Sequence, residues 1–450
     1  MTSSASTFVD TIVAIATPSG RGGIGVVRLS GPESLSVAQT LVSLQREPAS
    51  HRVRYGHVTD RDGQPIDDAL LTYFAAPHSY TGEDVVEIST HGAPVILQTV
   101  VELALERGAR LAHAGEFTER AFLQGRLDLT QAEAVRDLID ASTVAQARLA
   151  AEQLGGSLQR EVRPAKDALV LLIAGLEAGI DFAEDDLETM PAQEIADRVA
   201  ALLPPLERLL ASFAQGRLLR EGLRLAIVGK PNVGKSSLFN RLLERDRAIV
   251  TPIAGTTRDV ISERAVIRGV PIELLDTAGL RDTEDVVERI GVERSREAIA
   301  DADVVLHVID ASYGAAPIAE VHAGPRALVV HNKVDLLRNA ERSAMHGGAL
   351  LTSTQTGEGL DALRGEIARL AGFEGRDMSQ ATLTNARQRD SIVRTLAALR
   401  RVSAAMETNT PHEMLLLDLY EGLQALDELT GQTTADDVLS QIFSTFCIGK

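Results

Sequence analysis

The sequence predicts a multidomain α+β and α/β chain: an α+β module first, then a helical domain interrupted by a compact α/β insertion. Three observations carry this expectation. Residues 1–118 alternate short apolar runs such as TIVAI and DVVEI with Gly, Pro and Asp turns around one good helix at 95–107, the pattern of an α+β module. From 119 to 218 the chain becomes rich in Ala, Leu, Glu and Arg with apolar spacing near three and four, and this helical pattern returns at 386–406, 412–429 and 435–446. Between the two helical stretches, residues 219–375 carry short buried strands running into glycine-bearing loops, so the helical domain is expected to be discontinuous. The 450 residues suit two or three domains, and no internal repeat or low-complexity segment is present.

The insertion holds the strongest chemical signals. RLAIV at 224–228 predicts a buried strand, SLFNRLL at 237–243 an amphipathic helix, and GKPNVGKS at 229–236 between them fits G-x-x-x-x-G-K-[ST]. A glycine loop opening a helix points backbone N–H groups and the helix dipole at an anion. Lys235 is placed to reach the outer phosphates of a nucleotide and Ser236 to ligate Mg2+. IELL at 272–275 runs into Asp276-Thr277-Ala278-Gly279, whose carboxylate can hold Mg2+ through water and whose glycine lets backbone approach the terminal phosphate. ALVVH at 327–331 runs into Asn332, Lys333 and, one residue on, Asp335. An acceptor-only carboxylate at Asp335 can take both N1–H and N2–H2 of guanine, a donor pair adenine lacks. Within 254–259, AGTTRD, one threonine can complete the Mg2+ shell when a terminal phosphate is present, the logic of a switch loop. Four such signals in order predict a site that binds and hydrolyses GTP. Leu280 stands where Ras-like proteins place a water-orienting glutamine, and Glu284, Asp285 and Glu288 are the carboxylates near enough to take over.

Longer segments outside the insertion carry a family resemblance: TPSGRGGIGVVR at 17–28, YTGEDVVE at 80–87 with His91-Gly92, GEFTERAF at 115–122 with RLDL at 126–129, and the terminal FCIGK at 446–450. The chain resembles the MnmE/TrmE family of tRNA modification GTPases nearly end to end. The resemblance implies an N-terminal α+β folate-binding and dimerisation module at 1–118, a helical domain at 119–218 and 376–450, and an inserted Ras-like P-loop G domain at 219–375. It implies GTP contacts from Asn232, Val233, Gly234, Lys235, Ser236 and Ser237, from Thr251, Pro252, Ile253, Ala254, Gly255, Thr256 and Thr257, from Asp276 to Gly279, from Asn332, Lys333 and Asp335, and from the base-backing Ser353, Thr354 and Gln355. That last loop departs from the usual Ser-Ala-x. Ser236 and Thr257 are implied as Mg2+ ligands, Asn232, Thr251, Ile253 and Thr256 as K+ ligands, and Glu288 as the residue that positions water. With Lys235, Thr257 and Asp276 it completes the implied catalytic set. A K+ ion beside the bridging phosphate oxygens would stabilise the same developing charge as an arginine finger. Arg28, Glu87, Arg126 and Lys450 are implied to hold 5-formyl- or methylene-tetrahydrofolate, with the Cys-Ile-Gly-Lys tail reaching toward it. Some relatives have lysine at the position of Arg126; either cation can pair with the folate carboxylate.

The implied activity is that of a cytoplasmic homodimer. With the flavoprotein MnmG (GidA) it adds a carboxymethylaminomethyl or aminomethyl group to C5 of the wobble uridine of certain tRNAs. GTP hydrolysis would drive conformational change rather than the carbon chemistry. Two other classes share the motifs: an RNA-binding assembly GTPase of the Era/EngA kind, and a folate-dependent one-carbon transferase regulated by GTP. The first expects an appended basic module, whereas the net charge is −18 and only 3% of residues are aromatic, so non-specific RNA binding by the chain alone is expected to be weak.

Composition sets further bounds. Hydrophobic content of 44% with 24% charged residues is that of a globular protein. The single cysteine, Cys447, leaves no internal disulfide and fits a reducing compartment, and the terminal Gly-Lys after Ile448 argues against prenylation. No secretory signal is expected at the N-terminus, and the apolar run at 168–176 is too short to span a bilayer, so no membrane is expected as partner. The glycine-dense 20–25 lacks a following Lys-Ser/Thr and is expected to be a tight turn, the acidic 181–186 a solvated helix end, and His57, His78 and His91 core or surface histidines.

Overall fold

The computed structural model describes residues 9–181, 190–243, 262–275, 300–313, 326–338, 342, 350–371, 381–408, 410–432, 439 and 442–449. The chain divides into two compact units, one of Met1–Arg136, Gln153–Leu202 and Arg394–Lys450, the other of Asp137–Glu152 and Leu203–Val393.

The first unit is built on β1 (Ile12–Ile15), β2 (Gly22–Ser30), β3 (Val42–Leu44), β4 (Arg52–Thr59), β5 (Pro65–Phe74), β6 (Val85–Gly92) and β7 (Arg110–Leu111). They form a sheet in the order β3-β4-β5-β6-β2-β1-β7, antiparallel throughout except for the parallel β1/β7 pair. Side chains alternate across a strand, so Val27 and Leu29 of β2 and Val86 and Ile88 of β6 turn inward while Arg28 and Glu87 share the other face. The inner face is covered by α1 (Ser34–Leu41) and α2 (Pro94–Glu106), whose Val37, Leu41, Leu97, Val100 and Leu103 complete the core. Pro94 opens α2, where its missing N–H has no intrahelical partner to lose. The glycine-dense segment differs from the expected turn: the bend falls at Gly20 (φ +120°), and Gly22 to Gly25 open β2 with a register shift. Packing is the reason for glycine there, because a Cβ on Gly25 would stand 2.6 Å from Leu97 Cδ1 of α2.

A buried guanidinium ties this unit together. Arg120, on α3 (Glu116–Leu123), is 0% exposed and donates to Asp10 Oδ1 at 2.9 Å, Glu83 Oε2 at 3.1 Å and Glu116 Oε1 at 2.9 Å. Burial alone would raise the Glu116 carboxyl, but hydrogen bonds from Arg110, the His113 N–H and Arg120 hold it below its ordinary value. The helices Ser157–Asp181 and His412–Thr430 pack antiparallel, with Lys166 paired to Asp427 at one end of the contact and Tyr420 donating to Glu177 at the other. The C-terminal segment returns to the sheet. Phe443 and Phe446 pack on Leu129 and Ala132 of α4 (Leu129–Ile139), Ile448 bridges Ala114, and Gly449 (φ +96°) lies where a Cβ would be 2.3 Å from Ile15 O.

The second unit holds β8 (Leu223–Val228), β9 (Ser262–Ile267), β10 (Val270–Leu275), β11 (Val304–Asp310), β12 (Arg326–Asn332) and β13 (Leu350–Leu351). Their order is β13-β12-β11-β8-β10-β9, parallel but for the β9/β10 hairpin. Strands buried on both faces read as apolar runs, and here Leu225, Ile227, Leu306 and Val308 pack with Leu238 and Leu242 of the helix Lys235–Leu243 and with Leu363 and Ile367 of the helix Leu360–Leu370. β8 has β10 on one side and β11 on the other, so the chain reverses its direction of travel across the sheet at its end. Open parallel sheets bind ligands at the carboxyl ends of strands beside such a switch point. Among the described residues no helix is long and apolar enough to cross a membrane.

Arg120→Met is expected to cost about 3–5 kcal/mol, because removing one member of a buried ionic cluster leaves the others desolvated without compensation. Chemical denaturation of the two proteins, followed by amide exchange at β1 and α3, checks this; equal protection would show the cluster to be energetically idle.

Candidate functional site

β8 ends at Val228, and the chain turns through 229–234 into the helix Lys235–Leu243. Gly229 (φ +152°), Asn232 (φ +64°) and Gly234 (φ +95°) make the turn. Two of these positions admit only glycine: a Cβ on Gly229 would lie 2.3 Å from Val308 O, and one on Gly234 would lie 2.3 Å from Asn332 Nδ2. Lys235 Nζ folds over the loop and donates to Gly229 O at 2.9 Å and Lys230 O at 3.0 Å, and burial pushes its pKa down. Ser236 follows half-buried on the first turn, Ser237 is exposed, and Val233 is buried beneath the loop.

The other wall comes from the end of β12 and the loop after β13. Asn332 is 0% exposed and donates Nδ2 to Val233 O at 3.0 Å. Lys333, in the left-handed region (φ +66°), sends Nζ to Asn232 O at 2.6 Å and Asp310 Oδ2 at 2.7 Å. Burial would raise the Asp310 carboxyl, but hydrogen bonds from Lys333 and Ser312 outweigh it and hold the group below its ordinary value. Ser353 Oγ donates to Asp335 Oδ1 at 2.5 Å and accepts from the Thr356 N–H at 3.2 Å. Thr354 and Gln355 form the tip of that loop, and both carbonyls accept from Arg241 of the helix Lys235–Leu243. The structure therefore brings Asn232 to Ser236 together with Asn332, Lys333, Asp335 and Ser353 to Gln355. Thr251 to Thr257, Asp276 to Gly279, Glu288 and Lys450 lie outside the described residues, as do Glu284, Asp285 and 182–186.

Asp310 and Arg241 were missed by sequence reasoning. Asp310 did leave a signal: it is a carboxylate closing the apolar strand VVLHVID at its carboxyl end. Arg241 left none, since an arginine late in an amphipathic helix is ordinary.

In the first unit Arg28 Nε and Nη2 both donate to Glu87 Oε1, at 3.0 and 2.7 Å, and the guanidinium lies 5.6 Å from the Tyr80 ring centroid and 5.7 Å from that of Phe117. A Cβ on Gly82, two residues after Tyr80, would lie 3.5 Å from Arg126 Cγ. Arg28 faces Ala14 in the sheet, next to Ile15 against which Gly449 docks, so the tail and Arg28 approach the same end of β1. Cys447 is exposed, and Gly115 N–H donates to its carbonyl at 3.4 Å. His57 and His91 pair with Asp68 and Asp67 at 2.9 and 2.7 Å.

A phosphate loop at the sheet's switch point, locked to an Asn-Lys-x-Asp base loop, defines a P-loop guanine-nucleotide protein. The family models extend this beyond the nucleotide site. "GTP-binding protein TrmE N-terminus" matches residues 11–126 and "MnmE helical domain" matches 129–447. Among curated proteins, the tRNA modification GTPase MnmE of Koribacter versatilis is 52% identical over 450 residues, covering 98% of this chain and 99% of its own. That of Aquifex aeolicus is 44% identical over 445 residues with 98% and 99% covered, and that of Lactococcus lactis (strain IL1403) 43% identical over 451 with 98% and 98%. The chain belongs to the MnmE/TrmE family of tRNA modification GTPases.

Two outcomes are expected from this geometry. Gly234→Ala should cost about 1–3 kcal/mol by forcing the Asn332 amide off Val233. Gly357→Ala, where a Cβ meets nothing within 4 Å, should cost only the strain of φ +84°, about 1 kcal/mol; melting temperatures compare the two. For Asp310, a folded pKa below the ordinary 3.8 means its stabilisation is complete above that pH and is lost as pH falls through the folded value. The stability gap between the parent and Asp310→Asn should then be constant well above the ordinary carboxylate range and narrow as pH falls below 3.8.

Proposed function

We propose that this chain is a cytoplasmic, K+-dependent GTPase that works as a homodimer with the flavoprotein MnmG (GidA). Together they would add a carboxymethylaminomethyl or aminomethyl group to C5 of the wobble uridine in certain tRNAs. The observation that carries the nucleotide part is the joining of Lys333 to Asn232 O and of Asn332 to Val233 O, which makes the phosphate loop and the base loop one piece. The G domain is assigned to 219–375, the helical domain to 119–218 and 376–450, and the folate and pairing module to 1–118.

In this reading GTP lies with its phosphates on the backbone N–H groups of 232–237 and its base on Asp335, with Ser353, Thr354 and Gln355 behind it. Water attacks the γ-phosphorus in line, the bond to the bridging oxygen breaks, and GDP and phosphate leave. Lys235 exchanges its two loop carbonyls for the outer phosphate oxygens. Ser236 offers a hard hydroxyl oxygen at the helix start, a donor that fits Mg2+, and Thr257 would be the second ligand. Asn232, Thr251, Ile253 and Thr256 would hold K+, whose charge there offsets that developing on the bridging oxygens. Glu288 would position the water, Asp276 would support the metal, and Gly279 would let backbone approach the γ-phosphate. Pro252, Ala254, Gly255, Thr277 and Ala278 would be further GTP contacts.

The folate assignment is supported by the Arg28–Glu87 pair, whose partly exposed Glu87 carboxylate is an acceptor suited to the amino and N–H donors of a pterin ring. Arg126 and Lys450 would take the carrier's glutamate carboxylates, and Cys447 and Ile448 reach the same module.

GTP hydrolysis in K+ and in Na+ at matched ionic strength tests the reading. Strong K+ stimulation that Asn232→Ala abolishes is expected, and equal rates in both salts would remove the cation-assisted mechanism. Asp335→Asn should in addition lose GTP and gain xanthosine triphosphate, because an amide donor then meets the 2-oxo group. Unchanged base preference would move base recognition away from Asp335.

A further inference from the structure

The loop that follows β13 has a backbone problem at its tip. Thr352 N–H bonds His331 O at 2.8 Å, Ser353 N–H bonds Glu358 O at 3.0 Å and Gly357 N–H bonds Ser353 O at 2.9 Å, which closes the base of the loop. At the tip, the carbonyls of Thr354 and Gln355 both turn to one side chain, Arg241, with Nε to Thr354 O at 2.9 Å and Nη2 to Gln355 O at 3.4 Å. Arg241 sits in the last turn of the helix whose first turn carries Lys235 and Ser236. Its own carbonyl accepts Arg364 Nη2 at 2.7 Å, from the helix Leu360–Leu370 that begins where the loop ends. Gly359 (φ +71°) forms that junction, where a Cβ would overlap Leu351 O. The planar fork of a guanidinium can hold two carbonyls at once, which a lysine point charge does less well.

A trans peptide sets its N–H opposite its C=O, so a Thr354 carbonyl turned to Arg241 puts the Gln355 N–H on the other side of the loop. Ser353 Oγ on Asp335 keeps this segment beside the carboxylate that reads N1–H and N2–H2. The remaining group on that edge of guanine is the 6-oxo acceptor, which needs a donor next to Asp335.

Resting on the proposed GTPase reading, we propose that Arg241 is a positioning residue for guanine: from the far end of the phosphate helix it holds the 353–355 loop so that backbone N–H groups meet the 6-oxo group. The phosphate helix thereby serves both ends of the nucleotide, its first turn the phosphates and its last turn the base loop.

The full chain is tested with GDP and 6-thio-GDP, which keeps both donors read by Asp335 but replaces the 6-oxo acceptor by a poor one. The wild-type chain should prefer GDP. Arg241→Gln should weaken GDP by about tenfold and leave 6-thio-GDP near its wild-type affinity, erasing the preference, with KM for GTP raised and kcat at saturation unchanged. Arg241→Lys should restore part of the preference, and it carries the same comparison alone if the glutamine variant does not fold. Equal weakening of both ligands, or no change in either, would overturn the proposal. A wild-type chain that binds neither diphosphate would instead overturn the guanine reading on which it rests.

Discussion

A loop that binds phosphate through its own N–H groups has to leave those groups unbonded to the rest of the protein, so something else must hold its shape. Here the carbonyl side of the loop supplies the hold. Val233 O and Asn232 O are taken by Asn332 and Lys333, and Gly229 O and Lys230 O by Lys235. The two motifs that look separate in sequence are thus one construction, and Asp310 extends it by fixing Lys333 from the neighbouring strand. The glycines follow from the same constraint, because the loop runs against Val308 O and the Asn332 amide too closely for any Cβ. Arg241 carries the principle to the base loop, where carbonyls are again held so that N–H groups point elsewhere.

The first unit answers a different constraint, that of bringing segments distant in the chain to one place. Its sheet keeps Arg28 and Glu87 on the face away from α1 and α2, where a polar pair is left beside aromatic rings instead of being drowned in core. The buried Arg120 cluster fixes the turn at Glu83 and Asp10, two residues before β1, to α3, and α3 begins one residue after the contact of the Gly115 N–H with the Cys447 carbonyl. Phe443 and Phe446 anchor the returning tail apolarly, and the Arg136 guanidinium lies 5.9 Å from the Phe446 ring centroid and bonds the Thr445 hydroxyl.

Local features were legible. The strand, loop and helix around 229–236 follow from apolar runs and glycine spacing, the helix expected at 386–406 is found as Ala386–Met406, and that at 95–107 as Pro94–Glu106. What failed to show was tertiary in origin. Gly22 to Gly25 resemble a turn in composition, but Gly25 answers to Leu97 on a helix far along the chain. Arg120, Arg241 and Arg364 occupy helices where charge ordinarily marks a solvated face; the Arg120–Glu116 pair has ordinary i,i+4 spacing, but the bonds of Arg120 to Asp10 and Glu83, and those of Arg241 and Arg364 to carbonyls, are announced by no sequence spacing. Of the segment expected to be helical at 435–446, Leu439 and 442–446 are described; Leu439 and 442–444 are helical, whereas Thr445 and Phe446 have already left the helix in a turn.

The charge distribution follows from the same engagement. A net −18 already disfavours a polyanion, and many of the guanidiniums are committed internally: Arg28 to Glu87, Arg110 and Arg120 to Glu116, Arg217 to Asp303, Arg220 to Asp137, Arg401 to Asp418. Counterion release rewards cations that can be turned to phosphates, and a cation already bonded to a carboxylate must first give that bond up. The nucleotide loop avoids the difficulty, since backbone N–H groups and a single lysine act at contact distance whatever the overall charge. Anion recognition in this chain is accordingly a matter of built geometry, and a tRNA would have to be met at a restricted patch whose cations are free to turn to phosphates.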